Sequence, residues 1–163
     1  MECGERNMSV DLKNYENLCK DERQKIIVSK DDDEKNSGKG GKCEHRALNK
    51  SQSLVRQYKV DGNVFVEGKK CDFLVLNDDK KDAYLIELKR SRIHEGIEQL
   101  EATHERIKSS LPEYQFFFRI SHSGSNSHDV RSQKTIRWRE KHGQSSEGKP
   151  IADLRKTPYI EEI

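Results

Sequence analysis

Hydrophobic residues are unevenly spread along the chain. They gather between about Leu54 and Ile120, with polar stretches on both sides. Inside that region the spacing changes from segment to segment. Residues 54–60 carry Leu54, Gln57, Tyr58 and Val60 among Arg56 and Lys59, which predicts a strand closed by the turn pair Asp61-Gly62. Val64-Phe65-Val66 extends that pairing. Residues 71–76 form a near-continuous apolar run broken only by Asp72; residues 77–82 are polar and turn-like; residues 83–88 form a second apolar run. Together these predict a β-hairpin. Ile93, Ile97, Leu100, His104, Ile107 and Leu111 recur at spacings of three and four, predicting a helix over 93–111 that Pro112 stops. Phe116-Phe117-Phe118 marks a buried strand within 114–120, and a Ser/His/Gly loop follows at 121–129.

The flanks are weaker. Residues 9–20 predict a short helix with Ser9 as its cap, and Ile26-Ile27-Val28 a short β-like run. The charged, glycine-bearing segment 31–42 reads as a loop or linker. Residues 43–50 predict a brief helix and 135–139 a late strand, while 151–163 give no clear pattern. The order predicts an α/β fold with a mixed central β-sheet flanked by helices. A length of 163 residues suits one domain. Residues 1–42 then supply an N-terminal helix, strand and charged linker to the main unit at 43–163.

Only 31% of residues are hydrophobic and 37% are charged, so the core must be small. The net charge of +2 permits nucleic-acid binding without demanding it. The basic stretch Arg131, Lys134, Arg137, Arg139 and Lys141, around Trp138, is a candidate track for a nucleic-acid backbone; a charged outer strand is the alternative. No stretch approaches the run of about 18 apolar residues that spans a bilayer. The first residues hold no apolar signal core. Cys3, Cys19, Cys43 and Cys71 form no C-x-x-C pair, which predicts reduced thiols in a cytoplasmic protein.

The chemistry lies in the two acids that interrupt the hairpin. Strand residues alternate faces, so Asp72, Leu74 and Leu76 share one face, as do Ala83, Leu85, Glu87 and Lys89. If Leu76 pairs with Ala83, then Asp72 meets Glu87. Two carboxylates opposite each other repel, and burial makes the conflict worse. A hard cation such as Mg²⁺ relieves it, because Mg²⁺ takes one or two carboxylates together with water and phosphate oxygens. Lys89, on the same face, suits stabilisation of a pentavalent phosphate or activation of water. The structural alternatives pair Asp72 with Lys69, Lys70 or Arg56, and make Glu87 and Lys89 an exposed charge pattern. Cys43, His45, Cys71 and His94 fit no zinc spacing. His104 on the apolar stripe reads as a core histidine, and His122 and His128 as loop residues.

The strings Cys71-Asp72-Phe73-Leu74, Ile86-Glu87-Leu88-Lys89 and Glu98-Gln99-Leu100 resemble small bacterial members of the PD-(D/E)xK nuclease superfamily over about residues 43–120. Cys71 stands where that motif has its proline. The resemblance implies a restriction-endonuclease-like core and Mg²⁺-dependent hydrolysis of phosphodiester bonds in DNA, with Mn²⁺ as a substitute. Asp72, Glu87 and the Leu88 carbonyl are then metal ligands, Lys89 supports attack by water, and Gln99 faces the site. The helical spacing puts Gln99 at the edge of the apolar stripe, beside Gly96 and Thr103. Glu44 is the candidate third acid, because it lies in the predicted helix before the first core strand; Glu16 and Glu22 are alternatives. A homodimer would supply two sites for two strands. The alternative function is a nuclease-fold module without turnover that binds nucleic acid or a protein partner.

Overall fold

The computed structural model describes residues 10–31, 43–124 and 127–163. In chain order its elements are β1 (Ile26–Lys30), β2 (Glu44–Leu48), β3 (Val55–Lys59), β4 (Phe73–Asn77), β5 (Asp82–Lys89), α1 (Ile93–Ile107), β6 (Gln115–His122), α2 (Ser127–Val130), α3 (Gln133–His142), β7 (Ala152–Lys156) and β8 (Tyr159–Glu162). They form an α/β fold with two mixed sheets. A five-stranded sheet runs β3-β4-β5-β6-β7, and a three-stranded sheet runs β1-β2-β8. The β3–β4 and β4–β5 pairs are antiparallel; β5–β6 and β6–β7 are parallel.

Both faces of β4 and β5 are covered, which explains their near-continuous apolar runs. Leu74, Leu76, Ala83 and Leu85 pack with Ile93, Ile97, Leu100 and Ile107 of α1 and with Trp138 of α3. Phe73, Val75, Tyr84 and Ile86 point the other way, towards Ile27 and Ala47 of the small sheet. The expected flanking by helices therefore holds on one face only. The three-stranded sheet covers the other, and β1 is built into the same fold as the principal sheet.

Several local expectations are corrected. Residues 43–50 form strand β2, not a helix: Cys43, His45 and Ala47 are buried at alternating positions, with His45 taking an inward place. The segment expected as a late strand is helix α3, anchored by Thr135 and Trp138 three residues apart and capped by Ser132, whose hydroxyl accepts from the Thr135 N–H. Within 9–20 there is only a 3-10 turn at Leu12–Asn14, capped by Asp11; Ser9 lies outside the described residues, as does most of the 31–42 segment. Residues 64–66 form no strand, although Val64 and Phe65 are buried. The helix over 93–111 ends at Ile107 and continues as a 3-10 turn, Lys108–Ser110. The patternless C-terminal segment supplies β7 and β8, both in parallel pairings with strands distant in sequence. Cys19, Cys43 and Cys71 are free thiols. Among the described residues no helix is long and apolar enough to cross a membrane.

A polar clamp joins the two sheets. Arg119 of β6 is 1% exposed. Its Nε donates to Glu161 of β8 at 2.9 and 3.1 Å, and its other nitrogens donate to the Phe118, Pro150 and Ile151 carbonyls. His45 Nε2 lies 2.7 Å from Glu161. A buried guanidinium is tolerable when its donors are met and its charge is paired. Burial alone would push the Glu161 carboxyl up. The His45 bond and the Arg119 charge outweigh burial and hold it down at about 2. A carboxyl depressed in the folded state contributes stability above its unfolded value, near 4.5, and loses it as pH falls towards 2. That contribution is on the order of 3 kcal/mol. Glu161→Gln should thus melt well below wild type at pH 7 and show a flatter melting curve between pH 5 and pH 3, measured by thermal denaturation across pH.

Candidate functional site

The hairpin pairs Leu76 with Ala83, Leu74 with Leu85 and Phe73 with Ile86. Asp72 lies one step beyond the regular ladder, opposite Glu87. Its backbone N–H donates to the Ile86 carbonyl at 3.1 Å and its carbonyl accepts from Val60 at 2.8 Å. Its side-chain Oδ2 accepts the Leu88 N–H at 2.8 Å. The carboxylate therefore continues the ladder where the strand's own carbonyls stop. Thr103 of α1 holds the preceding residue: its hydroxyl accepts the Cys71 N–H at 2.7 Å and donates to the Gln99 carbonyl at 2.8 Å.

Helix α1 lies directly over this point because residue 96 is glycine. A Cβ there would meet the Lys89 side chain at 3.3 Å, the Glu87 side chain at 3.4 Å and Ile120 at 3.4 Å. Even alanine there would ask these side chains to give by a few tenths of an ångström. Gln99, one turn on, lies along α1 between Gly96 over Glu87 and Thr103 over Cys71. Lys89 Nζ rests 3.6 Å from Glu95 in the first turn of α1.

Glu87 is 2% exposed. Burial pushes its pKa well above the usual carboxylate range. A bond to Asp72 and the Asp72 charge push the same way, and Lys89 only partly offsets them. Two buried oxygens at this site have no hydrogen-bond partner, Glu87 Oε2 and Gln99 Oε1. Buried polar atoms are nearly always satisfied, so two orphaned acceptors ask for a donor or a cation.

Asp72, Glu87 and Lys89 lie together at this end of β5, and Gln99 sits on the helix that packs over Glu87 and Lys89. Leu88 reaches the site through its N–H. Glu44 does not reach it: alternation on β2 turns Glu44 away from the inward Cys43 and His45, and its carboxylate pairs with Arg46 at 2.8 Å. Glu16 and Glu22 are exposed. Asp61 is a further acid whose charge adds to the upward push on Glu87; its exposed carboxylate lies 3.8 Å from Lys70. Its Asp-Gly pairing marked it only as a turn. Gly96, Thr103 and Asp61 were all missed as site residues, because each acts through a contact distant in sequence.

The basic stretch is less available than expected. Lys134 pairs with Glu98 at 3.3 Å and Arg139 with Asp153 at 3.0 Å. Trp138 is buried and donates to Glu101, so it offers no face to a base. Arg131 and Arg137 are exposed. A cavity of about 490 Å³ opens at the opposite end of β5, lined by Lys50, Lys80, Lys149, Asp82, Glu147 and Glu162. Lys50 pairs with Glu162 there at 2.6 Å, and none of the site residues lines it.

No family model matches the chain, and neither does any curated protein or solved structure. Among the described residues no group of three or more His, Cys, Asp or Glu side chains is arranged to hold a metal. The donors present are two carboxylates and a carboxamide oxygen, a hard oxygen set that suits Mg²⁺ completed by water. A cation bound only by the folded protein raises its melting temperature. Millimolar Mg²⁺ or Mn²⁺ should raise it by several degrees, about 1–3 kcal/mol at about 2–4 °C each. Glu87→Gln should melt higher than wild type in chelator, because the buried repulsion is gone, and should gain nothing from metal. A thermal-shift series on the two proteins checks both outcomes.

Proposed function

We propose that the chain is a Mg²⁺-dependent nuclease with a restriction-endonuclease-like core, hydrolysing phosphodiester bonds, most readily in DNA. The observation that carries this reading is the unpartnered buried oxygen Glu87 Oε2 beside Asp72, with a second such oxygen, Gln99 Oε1, on the helix that packs over Glu87 and Lys89. A purely structural acid so deeply buried would be matched by a basic partner. Glu87 instead lies against another acid.

Asp72, Glu87, Gln99 and the Leu88 carbonyl would hold the cation, with Asp61 close by. Bound there, Mg²⁺ would polarise a phosphate oxygen and lower the pKa of water. Asp72 is held by the Leu88 N–H and the preceding Cys71 by Thr103, so the acids are positioned before substrate arrives. Glu95 keeps the Lys89 ammonium at the rim, where it can turn towards the attacked phosphate. Apolar packing of α1 on the sheet excludes bulk water from the inner side of the acids and strengthens the charges there. Exposed Arg131 and Arg137 are the cations of the basic stretch best placed to follow a phosphate backbone; Arg137→Ala should then reduce the salt dependence of DNA binding by about one unit of slope.

Lys89 tests the reading. Its charge is one of several phosphate contacts in the ground state, but it gains importance as negative charge builds in the transition state. Lys89→Met keeps much of the apolar stem. It should fold, keep its metal-dependent melting shift, bind DNA nearly as well and cleave roughly 10²-fold more slowly. Incubation with plasmid, linear DNA and RNA in Mn²⁺ gives the rates. An equal rate in the variant would move the active site elsewhere, and a wild type that binds but never cuts would favour a module without turnover.

A further inference from the structure

His122, expected in a solvated loop, is the last residue of β6 and only 9% exposed. It pairs in register with Lys89 on one side and Lys156 on the other. Alternation puts it on the face of Ile120, the residue that meets Gly96 together with Glu87 and Lys89. The imidazole thus lies on the helix-covered face, one strand across from Lys89, at the carboxyl ends of parallel strands. Ligand crevices in open α/β sheets form at such ends.

The ring is fixed. One nitrogen bonds the Gly124 backbone. The other, Nδ1, is closed off from solvent and has no partner. The loop carrying Gly124 is tied down by the Ser123 N–H, which donates to the Lys89 carbonyl at 3.2 Å. It also passes so close to β5 that a Cβ at residue 124 would run into the Arg90 carbonyl. Burial lowers the ring's pKa below its ordinary value, which favours the neutral ring. The bond to Gly124 favours the protonated ring, as a bond to a carbonyl does, which places the ring proton on Nε2 and leaves Nδ1 a bare acceptor.

Lys89 offers only donors and His122 Nδ1 only an acceptor. One water can accept from the first and donate to the second, and its orientation is then set. We propose that His122 is a further catalytic residue of the nuclease site, its Nδ1 accepting a hydrogen bond from the water that attacks the phosphorus while Lys89 donates to that water. This rests on the nuclease reading above. The water oxygen bonds to phosphorus and the bond from phosphorus to the leaving oxygen breaks. The proton lost by the water passes to solvent, and the leaving oxygen takes one from solvent. His122 aims the water.

Two substitutions separate the ring nitrogens. His122→Gln reaches Gly124 with its amide but has no acceptor at the Nδ1 place. His122→Asn puts an oxygen at that place and loses the Gly124 bond. The Gln variant should melt like wild type and keep its KM, while kcat falls about 10²-fold, as expected of a misplaced reactant. The Asn variant should stay within about tenfold of wild-type kcat despite a lower melting temperature. Equal loss in both, or no loss in the Gln variant beside a slow Lys89→Met, overturns the assignment and leaves the nuclease reading standing. A Lys89→Met protein as fast as wild type, or a wild type that does not cleave, overturns both. Should either His122 variant fail to fold, ¹⁵N NMR of wild type with Mg²⁺ and a phosphorothioate-blocked DNA duplex decides: the Nδ1 resonance shifts if it gains a donor, and an unmoved resonance overturns the assignment.

Discussion

Glu87 sits on a strand whose neighbouring residues are all apolar, and it faces Asp72 rather than a base. Most of the site's construction follows from keeping that carboxyl buried. Ala83, Leu85 and Leu88 fix the strand between two layers, so Glu87 cannot swing out to water. Asp72 is fastened to the Leu88 N–H and so stays opposite Glu87. Gly96 lets α1 pack on Glu87 and Lys89, and Thr103 ties that helix to the residue before Asp72. The arrangement is costly for an empty protein, and under the proposed function a divalent cation sharing the oxygens offsets that cost.

The small sheet and its clamp support the same strands from the other side. Arg119 and Ser121 alternate with Phe118, Ile120 and His122 along β6, so the face turned away from α1 holds the two sheets together. Ser121 donates to the Glu44 carbonyl of β2, and Arg119 binds Glu161 of β8. The same strand presents Ile120 and His122 to the site. One strand thus links the two layers and lines the proposed cleft.

The hairpin was legible because two apolar runs and a polar turn leave one sensible register, and that register alone sets Asp72 against Glu87. Helix α1 and Gln99 were legible from spacing. The segment 43–50 was not: its period of two is masked by His45, whose burial depends on Glu161 near the other end of the chain. Nor was α3, which has only two buried anchors, or β7 and β8, whose partners are distant strands in parallel pairings. Asp61 and His122 were hidden for a related reason. Each sits at the end of an element, where sequence pattern fades and only the fold shows what lies alongside.

Under the proposed function Asp72, Glu87 and Gln99 surround a divalent cation. Crystals grown with Mn²⁺ test this directly, since anomalous scattering locates the ion without assumption about its ligands. The expected result is a peak bonded to Asp72 and Glu87 at about 2 Å, and none in a Glu87→Gln crystal. A fully occupied peak elsewhere, or an Mn²⁺-soaked wild type with Glu87 Oε2 bonded to a protein donor instead, would contradict it.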